Sequence, residues 1–313
     1  MVNFLLVIFL SVSSFCVLNA QSSSTKIFAA VKNNDIKELR TLLDQGADPN
    51  SYDEDGDHLL MYSTLYSSLH CMQLLIEKGS NVNAKNGLDE TALMWSVHDL
   101  EKMKLLIQHG ADVNAKAKSG NTPLLIASVG TGKYEAVKLL LDKGADASAV
   151  NNRKENALIR AALFGDTATV SMLLSKKIDI DALSGDSTTA LLNAALNVNS
   201  PVVIQLLEKG ADPDKTCTFG LTALSVSVTY NDLSSVKAIL KKAKKINIKG
   251  GGGFTPLLWA VYNEHDNIEI INALLEKGAD VNIKANDGST PLSWALKKGN
   301  TETVALLKKA GAK

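Results

Sequence analysis

A tract of about 33 residues recurs nine times in this chain, and no other feature constrains the fold as tightly. Clear copies read TPLLIASVGTGKYEAVKLLLDKGADAS from Thr122, TPLLWAVYNEHDNIEIINALLEKGADVN from Thr255 and TPLSWALKKGNTETVALLKKAGAK from Thr290. The slot of that threonine falls at Thr25, His58, Thr91, Thr122, Asn156, Thr189, Thr222, Thr255 and Thr290, with spacings of 33, 33, 31, 34, 33, 33, 33 and 35 residues. A chain of 313 residues would ordinarily suggest about two domains. Units that touch only their neighbours instead grow as one array. Low aromatic content (5%) suits short helices packed through Leu, Ala and Val.

The copy at Thr255 shows what each position does. Thr255 is a hydroxyl able to cap a helix, and Pro256 sits in the first turn, where its missing N–H is not needed. Leu257, Leu258 and Ala260 follow on the inward face, and a polar break over Asn263–Asn267 turns the chain. Ile270, Ile271, Leu274 and Leu275 have the spacing of a second helix, which ends at Gly278, a residue suited to a left-handed terminator. Asn286-Asp287-Gly288 then makes a turn at the tip of a finger. A paired apolar step recurs in every second helix, from Leu42-Leu43 to Leu306-Leu307, and predicts a continuous core ribbon that no single unit could bury.

The unit resembles the ankyrin repeat over residues 25–313. The resemblance implies an all-α solenoid of about nine helix-turn-helix repeats with β-hairpin fingers, acting as a binding surface rather than a catalyst. Two departures stand out. The histidine that often ends the opening tetrapeptide is missing, its slot holding Met61, Met94, Leu125, Ile159 or Ser225. Gly-Ala-Asp decays to Lys177-Ile178-Asp179 and Ala243-Lys244-Lys245, so a non-glycine forced to positive φ would make these junctions soft.

In the family, positions seven and eight after the threonine face the concave groove and vary with the partner. Here they include Leu65, Tyr66, His98, Leu163, Phe164, Tyr230 and Tyr262, a strip with the apolar and tyrosine content of a binding patch. The finger tips add Asp55, Asp57, Phe219, Leu221 and Phe254. Trp95, Trp259 and Trp294 share the slot four after the threonine, where the repeat buries a leucine, and are read as core. The lysines at 237, 241, 242, 244, 245 and 249 read as a solvated face, and Gly250–Gly253, with no Gly-Lys-Ser/Thr after it, as a floppy finger.

Residues 1–20 read as a secretory signal peptide, apolar from Phe4 to Leu18 and cut after Ala20, and residues 21–24 form a Ser-rich linker. The absence of Lys or Arg before the apolar run leaves an uncleaved anchor as the alternative, although about 20 solidly apolar residues are needed to span a bilayer. The chain is therefore expected in the periplasm or outside the cell, touching a membrane only through that segment. Cys71 and Cys217 lie too many repeats apart to pair. Zero net charge argues against nucleic acid as a partner. The histidines are scattered, and neither His-Glu-x-x-His nor a Cys/His metal spacing occurs, so no catalytic residue, metal or cofactor is expected. The expected role is binding of a protein or peptide by a monomer, with silencing of an exported enzyme or toxin as the alternative.

Overall fold

The computed structural model describes residues 24–164, 166–263 and 267–313, with Phe164 described by its backbone alone. The expected signal peptide and the linker up to residue 23 lie outside them. The fold is an all-α repeat solenoid: short helices follow one another in pairs, such as Leu59–Tyr66 with Leu69–Glu77, Ala190–Leu196 with Ser200–Glu208, and Pro291–Lys298 with Thr301–Lys309. Two compact units are present. One holds the described residues up to Ala127 with Glu135–Asp146, the other Ser128–Tyr134 with Ala147–Lys313.

From the second repeat on, the periodic threonine slot stands just before the first helix of each pair, at its N-cap, whereas Thr25 lies within its helix. Thr189, Thr222, Thr255 and Thr290 accept from the backbone N–H three residues on, and Thr222 and Thr290 close reciprocal capping boxes with Ser225 and Ser293. Asn156 does the same through Oδ1, 2.8 Å from the Ile159 nitrogen. The second helices have caps of their own at Asp35, Asp99, Asp166, Asn199, Asp232, Asn267 and Asn300. Their recurrence close to ten residues after the threonine slot was a readable signal.

At the far end of the second helix, Gly46, Gly79, Gly110, Gly144, Gly210, Gly278 and Gly311 all take φ between +87° and +96°. The next residue's N–H returns to the carbonyl five positions back, as in Ala211 to Leu206 at 3.0 Å, and the glycine N–H returns three, as in Gly210 to Leu207 at 3.2 Å. This pair of bonds satisfies helix carbonyls that would otherwise be orphaned. At least one member of every apolar pair is buried; Leu75, Leu106, Leu140, Leu173, Leu206, Ile239, Leu274 and Leu307 are completely so.

The two degenerate junctions correct the expectation of strain. Neither Lys177 nor Ala243 has positive φ; Ala243 leaves its helix at φ −62°, ψ 137°. At Ala243 the chain exits extended instead of bending left-handed, and with neither residue at positive φ no such penalty arises. Strain sits elsewhere. The turn between paired helices takes positive φ at Asn34, Val198 and Asn231. Asparagine tolerates this region, whereas for a β-branched valine it is an outlier. Val198 is also exposed and contributes no core. Val198→Asn is expected to stabilise the protein by about 1 kcal/mol in a chemical-denaturation midpoint, with an unchanged slope.

The fingers, expected as β-hairpins, are tight turns. Among the described residues the only bridges are isolated antiparallel ones, Tyr52 with His58 and Lys85 with Thr91. Each finger is too short for a ladder and is held by its neighbour instead. Backbone bonds run from Lys118 N to Leu88 O (2.8 Å), Gly185 N to Arg153 O (2.6 Å) and Asn286 N to Gly252 O (2.9 Å). The Gly250–Gly253 segment, expected as a floppy finger, forms a tight turn with Gly252 and Gly253 at positive φ, closed by Gly253 N to Gly250 O at 3.0 Å, and Gly253 is buried beneath the next tip.

A polar ladder, missed in the sequence, runs beside the helix ends. Asn83 donates from Nδ2 to Gly110 O (2.9 Å) and accepts at Oδ1 from Asp112 N (2.8 Å); Asn114 repeats this with Gly144 O and Asp146 N, and Asn282 with Gly311 O and Lys313 N. Asp181 accepts in the same way from Asp212 N. The Asp-x-Asn that recurs just after helix-ending glycines was the clue. Cys71 and Cys217 are both buried and free.

Candidate functional site

Helix ends set the first group of site residues. Tyr66 closes Leu59–Tyr66, Tyr262 closes Pro256–Tyr262, and Tyr230 caps Ala223–Thr229. At this register the helix has turned away from its packing partners, so the rings stand partly in solvent, at 47%, 44% and 52% exposure. Leu65 is exposed beside Tyr66, and His98 is exposed. Leu163 is half-buried, and the side chain of Phe164 lies outside the described residues.

In the first unit the strip is part of an aromatic chain. Phe28 meets Tyr62 edge-on at 5.1 Å, Tyr62 meets Tyr66 at 5.3 Å, and Lys32 Nζ sits 5.9 Å from the centre of the Tyr66 ring. The Tyr62 hydroxyl is held above its ordinary pKa by burial first, and then by its hydrogen bond to Asp53. Phe28 and Tyr62 were not among the expected site residues. Their juxtaposition depends on stacking one repeat's first helix on the next.

The second unit gathers a denser group. Phe254 lies 4.7 Å from Trp259 and 5.4 Å from Tyr262; Tyr262 lies 5.8 Å from Trp259 and 4.8 Å from Trp294. Lys297 Nζ stands over Trp294 at 4.5 Å. The three tryptophans are therefore not simply core, since each is only half-buried. Their slot faces the edge between helix and finger, where the residue five positions earlier meets it. Trp95 Nε1 donates to Glu90 and Trp294 Nε1 to Ser289, both at 2.9 Å. At Trp259 that earlier residue is Phe254, so the indole stacks and its buried N–H has no acceptor among the described residues.

The finger tips divide. Phe219 stands 72% exposed and Asp55 is exposed. Leu221 is half-buried against Gly250, and Phe254 is half-buried in the aromatic group. Asp57 accepts from Asn86 Nδ2 at 2.8 Å, which ties one finger to the next.

Capped helix pairs at a fixed period, joined by stacked turns and bearing exposed aromatic rings at helix ends, define a helical repeat protein that presents surfaces. A family model of ankyrin repeats, three copies long, matches residues 26–117, 98–184, 191–285 and 224–313. The chain belongs to the ankyrin repeat family, whose members are generally protein–protein interaction modules. No curated protein matches it.

Proposed function

We propose that this chain is a non-catalytic, exported, monomeric module that binds a protein or an extended peptide through its helix-end strip and finger tips. One observation carries the reading. Tyr66, Tyr230 and Tyr262, at matching ends of first helices, keep about half their surface in water although the first turns of those helices are buried. Covering the exposed half of such a ring removes on the order of 100 Å² from water, about 2.5 kcal/mol each at ~25 cal/mol per Å². Tyrosine also contributes a rigid body and a polar tip, the combination enriched at interfaces.

The strip is tested by retaining the native partner from the exported fraction of the source cells on immobilised protein. Tyr230→Glu with Tyr262→Glu is expected to weaken retention at least about tenfold. Because Tyr262 also stacks on Trp294 and Trp259, a melting curve verifies that this variant is folded. Tyr230→Glu alone, at a half-exposed ring, should weaken retention severalfold with its melting temperature within a few degrees of the parent. Undiminished retention by the folded variant would remove this strip from the site.

A further inference from the structure

An open cavity of about 450 Å³ lies in the first unit between the first helical segment and the first finger. Phe28, Tyr52 and Tyr62 supply aromatic walls, and Asp53, Glu54 and Asp55 line it from the finger. Tyr52 is half-exposed, and its other neighbour is the His58 ring, edge-on at 5.0 Å. Neither lysine nor arginine lines the cavity, and among the described residues none of the three carboxylates has an ion-pair partner.

Folding accounts for Asp53, which takes a hydrogen bond from the Tyr62 hydroxyl, but gives little reason for Glu54 and Asp55 beside the same rings. Asp53 shapes the turn, its Oδ1 accepting from the backbone N–H groups of Asp55 (3.0 Å) and Asp57 (2.8 Å). Among the described residues, Glu54 and Asp55 use their side chains for no such bond. Ring faces carry negative potential, so the Glu54 and Asp55 carboxylates and the aromatic faces around one space repel each other until a cation enters. The geometry also sorts cations by size. Calcium needs several oxygens at about 2.3–2.6 Å from one point, and no three such side chains among the described residues converge that way. A broad cavity with flat walls and carboxylates at one rim suits a planar organic cation, which stacks on a ring while its N–H groups reach a carboxylate.

We propose that this cavity is the seat of an arginine side chain presented by the protein partner, between the Tyr52, Phe28 and Tyr62 rings and the Glu54 and Asp55 carboxylates. The proposal rests on reading the chain as an interaction module, but uses neither Tyr230 nor Tyr262.

The test uses the full chain and a fluorescently labelled tetra-arginine peptide, with a tetra-citrulline peptide of equal length as the uncharged isostere. Fluorescence anisotropy is expected to show binding at least about tenfold tighter for the arginine peptide. Glu54→Gln with Asp55→Asn should weaken it about tenfold, and Tyr52→Leu should weaken it severalfold although no charge changes. All three positions are exposed, and a melting curve for each variant verifies folding. The Tyr230→Glu, Tyr262→Glu variant should bind the peptide normally, so failure of the helix-end strip is scored separately. Any of four results overturns the proposal: no binding at millimolar peptide, equal binding of citrulline, indifference to Tyr52→Leu, or displacement by calcium chloride but not by sodium chloride of equal ionic strength.

Discussion

Gly253→Ala is expected to destabilise the second unit by about 3 kcal/mol, the largest effect of any single methyl added to a finger. Two costs combine. Gly253 sits at φ +76°, where a side chain costs about 1–2 kcal/mol. Its Cβ would also press on Asn286 Oδ1 and lie 2.9 Å from the Asn286 backbone nitrogen, which donates to Gly252 O. A side-chain oxygen could swing away, but a backbone nitrogen fixed in a finger-to-finger bond cannot. Relief therefore requires the two tips to separate, with an overpacking cost of about 1–3 kcal/mol. Two residues earlier, Gly251 has φ outside the positive region and open space where its Cβ would be, so Gly251→Ala should stay within about 0.5 kcal/mol of the parent. Urea denaturation of the two variants side by side measures the difference. Equal midpoints would mean that the fingers do not stack as tightly as their hydrogen bonds indicate.

Acid is expected to weaken the protein through one histidine. His58 occupies a slot that is threonine in most copies, and it caps its helix through the ring: Leu60 N–H donates to Nδ1 at 3.2 Å. Nε2 faces Asn50 Oδ1 at 3.3 Å, so the fitting tautomer carries its proton on Nε2. Protonating Nδ1 would abolish the cap bond and place a charge in a buried site. Burial lowers the pKa from 6.5 to about 4, with Asp48 opposing the shift. Between those values the unfolded chain takes up a proton that the folded chain refuses, so stability rises with pH across this window. Falling from pH 6.5 to about 4 should therefore cost about 3 kcal/mol from this residue, with little further loss from it at lower pH. Asp44 and Asp287 have lowered pKa values, from Lys78 and Ser289 respectively, and also favour the folded state less as acid protonates them. The informative quantity is consequently the difference between the parent and His58→Thr at about pH 7 and about pH 4. A gap that does not change with pH would show that His58 is protonated without cost in the folded state.

Much of the fold was legible because an array of this kind is held by short-range rules. Thr255 and Pro256 announce a helix start whatever lies around them, and Gly278 announces its end. The apolar pairs follow helical spacing within one repeat, so their burial could be read without knowing the neighbours. Even the second-helix caps and the Asp-x-Asn ladder were written in the period. The degenerate junctions misled for a physical reason: losing glycine does not force a residue into the left-handed region when the chain can leave by another route, as Ala243 does.

The surface was less legible. Tyr66, Tyr230 and Tyr262 could be placed at helix ends from their register, and their exposure agrees with that placement. The same slot four residues into the first helix, however, gives Trp95 a glutamate partner, Trp294 a serine and Trp259 a phenylalanine, with three different consequences for the indole. Which of these contributes to an exposed aromatic group depends on how a finger lies over its own helix. The cavity of Phe28, Tyr52 and Tyr62 was invisible because Tyr52 and Tyr62 follow Phe28 by 24 and 34 positions, and each is unremarkable alone.

By itself the sequence determined the class of protein, the helix pairs, their caps and the core ribbon, because each is set by interactions within a repeat or by a period common to all of them. Only the tertiary structure decided which aromatic rings meet, which carboxylates stay unpaired and which glycine carries the next finger. Those outcomes depend on contacts about one repeat apart in sequence, made by variable positions that the periodicity does not constrain.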